Sequence, residues 1–139
     1  MNTIRRFATG ALGGATAVAA AALLAPMAAS ADTPYAQASA MVEANGSVAN
    51  SKHVDDVWHP SRGVYCVIVS HLVDLHGDVA IHVTPIGRYD HPRSMSVERG
   101  GDECVRHDLH HDMDDRTITV YSRASSRVPA ETAFYLTVS

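Results

Sequence analysis

The stretch Arg106-His107-Asp108-Leu109-His110-His111-Asp112-Met113-Asp114-Asp115 concentrates the side chains best suited to chemistry in this chain. It holds three of the nine histidines and four aspartates. Imidazole and carboxylate are ligands for zinc, copper or nickel, and tracts of this composition can bind such ions. On a helical turn, His107 could share one ion with His110 or His111. In an extended chain His107 and His111 share a face but stand too far apart without a bend. His107, His110 and His111 are therefore the candidate ligands, with zinc or copper as the candidate ion.

The same residues differ from the H-E-x-x-H pattern of zinc proteases at one fixed position, where Asp108 replaces the glutamate that acts as general base. That chemistry needs both histidines on one helix. Gly100-Gly101 precede the stretch, Asp112–Asp115 end it, and Asp and His are poor helix formers. Asp108 is also one methylene shorter than glutamate. The bland alternative, a solvated acidic loop with bystander histidines, fits the composition better than a small metal-dependent hydrolase. No G-x-S-x-G, P-loop, C-x-x-C or dinucleotide fingerprint is present, so no catalytic residue is assigned and the chain is expected not to be an enzyme. Trp58, Tyr65, Tyr89, Tyr121 and Tyr135 could line a ligand face, but at strand spacing such residues more often pack in the core or across strands.

What must position these residues starts after a leader. Arg5 and Arg6 precede an Ala-rich apolar run, Pro26 ends it, and Ala29-Ser30-Ala31 supplies an A-x-A cleavage site. Residues 1–31 therefore read as a signal peptide, too short and too mildly apolar for a stable span. The expected product is secreted, with no membrane insertion after cleavage. Without Arg5 and Arg6 there remain nine cationic against 15 acidic residues, a formal charge of −6. That balance argues against nucleic acid as a partner and leaves an extracellular partner of unknown identity. Protonation of histidines between pH 5 and 8 would reduce this negative charge. Cys66 and Cys104 both lie in the exported part, where one disulfide is the simplest pairing.

Residues 32–39 read as a flexible lead-in and 40–139 as a single β domain. Gly63–His71 is the central strand, apolar on both faces and so expected to be covered on both. Before it, Asn45-Gly46 marks a hairpin with a type I′ turn. A short strand with Val54, Asp56 and Trp58 on one face follows, then a turn at Pro60–Gly63. After it, Val79, Ile81 and Val83 alternate inward, then Met95 and Val97, then Ile118 and Val120, and finally Phe134, Leu136 and Val138. Seven to eight short strands with turn-rich spacing and no helical period predict an antiparallel β-sandwich or barrel.

The order Asn45-Gly46, Gly63-Val64-Tyr65-x-Val67, Thr117-Ile118-Thr119-Val120 and Phe134-Tyr135-Leu136-Thr137-Val138 resembles small secreted actinobacterial β-rich domains of unknown function. Those domains often carry a cysteine at the start of the strand after G-x-Y, where this chain has Gly77-Asp78-Val79-Ala80. The resemblance implies an exported β fold and lends no catalytic residues. The expected function is that of a non-catalytic binding or structural module, with an extracellular His/Asp-loop metal-binding protein as the alternative.

Overall fold

In the computed structural model, residues 35–105, 111–125 and 127–139 are described. The expected leader and its cleavage site lie outside them, as do His107 and His110.

Eight strands form two antiparallel four-stranded sheets. The first sheet orders β2 (Val48–Lys52), β1 (Ala38–Val42), β8 (Ala133–Val138) and β5 (Ile81–Ile86). The second orders β3 (Val54–Ser61), β4 (Val64–Val69), β7 (Thr117–Ala124) and β6 (Arg93–Arg99). Every strand but β2 sends apolar residues between the sheets, largely in the alternation that the period of two requires. The shared core comprises Ala38, Ala40 and Val42 from β1, Tyr65, Val67 and Val69 from β4, Ile118 and Val120 from β7, and Phe134, Leu136 and Val138 from β8. Ile81, Val83, Met95 and Val97 flank it from the edge strands. At about 25 cal/mol per Å² of apolar surface removed from water, this interleaved layer is the main stabilising term.

Several expectations on local structure change. β1 begins at Ala38, inside the stretch expected as a lead-in, because Ala36, Ala38 and Ser39 are buried. In the first hairpin Gly46 N–H donates to Glu43 O and Glu43 N–H donates to Ser47 O. Gly46 has φ 88°, and Asn45 is not among the residues with positive φ. This is a type I turn closed by a glycine bulge rather than a type I′ turn. The Asn45 side chain takes part, its Oδ1 accepting from Ser47 N–H at 2.9 Å. In β3 the register slips between Val54 and Asp56, so Asp55 is an extra residue. Val54 and Val57 consequently both pack on the core, and Trp58 faces away from it opposite Cys66. Finally, Val73 and Leu75 in the β4–β5 connection are buried members of the core.

β4 is buried on both faces, as expected, and the two covers differ. The inner face meets the opposite sheet. Its outer face carries Cys66 and Ile68, with Thr117 and Thr119 beside them on β7, all buried. A 3-10 turn, Asp102–Cys104, lies against β4 and β7 there, and a 3-10 helix, His111–Arg116, lies against β4. The Cys66–Cys104 disulfide fastens this covering segment, with Cα atoms 5.6 Å apart. Gly101 (φ 115°) lets the chain pass close to the sheet, where an added Cβ would meet Thr119 Oγ1 at 2.5 Å.

The strand order gives the sandwich two ends. The upper end gathers the β1–β2, β3–β4, β5–β6 and β7–β8 connections. The lower end gathers the β4–β5 connection and both chain ends of the β domain, with Ala38 opposite Val138.

Candidate functional site

The residues with ligand or acid–base chemistry meet at the lower end. After β4 the chain turns at Ser70, and Val73 N–H donates to Ser70 O at 2.9 Å. Val73 and Leu75 dip into the core, so the residues between and around them are pushed outward. His71, Leu72, Asp74 and His76 are exposed as a result. Asp74 shapes the rest of the loop. Its Oδ1 accepts from His76 N–H at 2.9 Å and from Gly77 N–H at 3.3 Å. Its own N–H donates to Gln37 Oε1 at 3.1 Å, which ties the loop to the start of the domain.

Facing this loop is the end of the 3-10 helix, with Asp115 exposed and Arg116 half-buried. Arg116 Nη1 donates to Val69 O at 2.7 Å and to Asp55 Oδ2 at 2.9 Å. The cation thereby clamps the exit of β4, the bulge residue of β3 and the start of β7. Between the loop and the helix lie two adjoining clefts. The first, about 380 Å³, is lined by His71, Asp74, His76, Asp115 and Arg116 among others. The second, about 340 Å³, is lined by Leu75, His76, Arg99, Gly100 and Asp115. His76 and Asp115 belong to both. Two imidazoles and two carboxylates around a cleft can donate and accept hydrogen bonds, or offer nitrogen and oxygen to a cation.

Of the ligand candidates, His107 and His110 lie outside the described residues, and His111 opens the 3-10 helix that ends at this cleft. Among the described residues no three His, Cys, Asp or Glu side chains stand close enough to hold one ion. His82 is exposed on β5, opposite Thr137 of β8 in the first sheet, and does not line the clefts. The five aromatic residues do not form one face. Tyr65 is core, stacked on His59 (ring centroids 4.5 Å) and edge-on to Phe134. Its hydroxyl donates to Ala44 O and accepts from Thr132 N–H, both at 2.9 Å, and burial pushes its pKa up. Trp58 is on the outer side of β3, and Tyr135 is half-buried on β8.

Tyr121 belongs to the covering segment's attachment. Its hydroxyl donates to Glu103 Oε2 at 2.7 Å, with Glu98 Oε2 at 3.3 Å. Burial, followed by the Glu103 hydrogen bond and charge, raises the Tyr121 pKa. The phenol in turn lowers that of Glu103. Sequence reasoning placed Asp115 in the acidic stretch but missed Asp74 and Arg116. The signal for Asp74 was its spacing from Gly77, which an Asx-type turn uses.

Comparison with protein-family models, characterised proteins and solved structures returns no match. The resemblance to small secreted actinobacterial domains thus finds no counterpart among them. No helix among the described residues is long and apolar enough to cross a membrane.

Proposed function

We propose that the mature chain is a secreted, non-catalytic β domain that binds a small polar ligand in the lower cleft. The observation that carries this reading is the convergence of His71, Asp74, His76 and Asp115 on one cleft above a pinned sandwich frame. Loops held by a rigid scaffold are where binding residues concentrate. A disulfide suits an oxidising compartment, in keeping with export and cleavage after Ala31.

The test uses mature protein labelled for NMR and size-fractionated medium from the exporting cell. Binding predicts shifts confined to His71–His76 and Asp115–Arg116, with the ligand recovered unchanged. Recovery of a chemically converted ligand would overturn the non-catalytic reading, and shifts scattered over the molecule would overturn the site.

A second reading is favoured by the position of His111 at the start of the helix whose last residues, Asp115 and Arg116, line the cleft. In it, His107, His110 and His111 hold zinc or copper. Calorimetric titration of metal-free mature protein with each ion should then show binding tighter than about 10 µM and a raised melting temperature, since a ligand selective for the native state stabilises it. Weaker binding with unchanged melting would remove the metal reading.

A further inference from the structure

We propose that the upper end of the sandwich holds a separate oxyanion-binding site, built on Tyr89 and Arg93, for a ligand bearing a phosphate or sulfate group. The β5–β6 connection encloses a hollow of about 490 Å³ whose walls include Arg88, Tyr89, His91 and Arg93. Tyr89 is fixed at both sides of the sheet end. Its hydroxyl donates to Ile86 O at 2.6 Å and accepts from Ala133 N–H at 2.9 Å. The Arg93 guanidinium lies over this immobilised ring, 4.5 Å from its centroid. Stacking holds the planar fork in place, and a held fork loses less entropy when it captures an oxyanion.

The guanidinium has donors to spare. Nη1 makes one long bond, 3.3 Å, to His91 O. Nε is shielded from solvent and has no acceptor. An unmet donor of this kind is costly, and charged oxygens are the acceptors that pair best with guanidinium. Among the described residues no carboxylate fills that role. Arg62, Arg88, Arg93, Arg123 and Arg127 all sit in or beside upper-end connections, and none makes an ion pair among the described residues. These are five of the nine cationic residues left after the leader, in a chain with excess acid. By contrast Arg116, at the lower end, is paired with Asp55.

The cluster extends sideways. Arg93 is opposite Ala124 in the sheet and Ser94 is opposite Arg123, so the β7–β8 arginines begin one strand away. Arg123 and Arg127 line a second hollow against β6. A ligand with more than one anionic group can therefore engage both hollows. This location is at the opposite end of the strands from the histidine cleft, so the two readings stand or fall separately.

The test is calorimetric titration of the mature protein with tripolyphosphate and with inorganic sulfate at about 0.15 M ionic strength, with melting temperature as a second readout. Saturable binding and a raised melting temperature are expected for at least one probe. Arg88 is exposed, so Arg88→Gln will fold, and it should weaken binding roughly tenfold, the loss expected for one charge-assisted hydrogen bond. Arg93→Lys keeps the charge but loses the planar fork and should weaken it comparably. Arg99→Gln, which removes a lower-end cation, should change affinity less than about twofold, because distant exposed charges are screened. Absence of saturable binding by both probes would overturn the proposal. So would equal weakening by Arg99→Gln and Arg88→Gln, or full affinity in Arg93→Lys. A preference for tripolyphosphate assigns a phosphorylated ligand, and a preference for sulfate a sulfated one.

Discussion

Tyr121 and Glu103 show how a single hydrogen bond can report on a whole segment. The phenol is on β7 and the carboxylate is on the 3-10 turn that Cys104 ends, so their bond joins the covering segment to the sheet. It needs a protonated phenol and an ionised carboxylate. Glu103 has a lowered pKa in the fold, so its contribution is present above the ordinary carboxylate range and is lost as pH falls through the lowered value. Tyr121 has a raised pKa, so its contribution is complete below about 10, the ordinary phenol value, and is lost as pH rises toward the folded value. The melting temperature of Tyr121→Phe should therefore fall below that of the parent by a constant amount between about pH 5 and 9. The gap should narrow on both the acid and the alkaline side. A gap independent of pH would show that the ring's packing, and not its hydroxyl, holds the segment.

At the scale of elements, the disulfide supplies the fixed point of the covering segment. Cys66 and Cys104 are separated by 38 residues, and a loop of that size is worth about 4 kcal/mol in the chain-entropy account. The double replacement Cys66→Ala with Cys104→Ala should lower unfolding free energy by about that amount in denaturant melts. It should also speed amide exchange at Ile68 and Thr119, which the segment covers. A change well under about 1 kcal/mol would mean that the cover holds without the bond. Both cysteines and the two-sided burial of β4 were legible in the sequence, because a doubly apolar strand needs two covers. The inward sets of β5, β6, β7 and β8 were legible too, since an unbroken alternation states its own face. β3 was not. One bulged residue at Asp55 moves Val57 to the face of Val54, and a bulge arises from pairing, which one strand's sequence does not display. The Asn45-Gly46 turn was legible in place but not in type, because an Asn-Gly pair suits both a type I′ turn and a type I turn followed by a glycine bulge, and strand pairing decides between them. The lower cleft was legible only in part. The histidines stood out by composition, while Asp74 and Arg116 matter through hydrogen bonds that span distant sequence positions.

Across the whole molecule, the antiparallel order sorts charge as well as loops. Among the described residues, five arginines without carboxylate partners lie at the upper end and only Arg99 at the lower, while Asp55, Asp74, Asp78, Asp102 and Asp115 belong to the connections and strand starts of the lower end. A molecule with this separation presents different chemistry to ligands approaching from each end, whatever its net charge. The same order has a mechanical consequence. β1 and β8 are antiparallel neighbours, Ala38 is opposite Val138, and Gln37 N–H donates to Val138 O at 2.7 Å. A force applied between Gln37 and Ser139 loads that first bond alone, then the next, so the two strands would peel apart like a zip instead of sliding past one another. Tension of that kind is resisted one hydrogen bond at a time. Pulling on the same sheet through β2 and β5 would have to separate the β1–β8 ladder sideways.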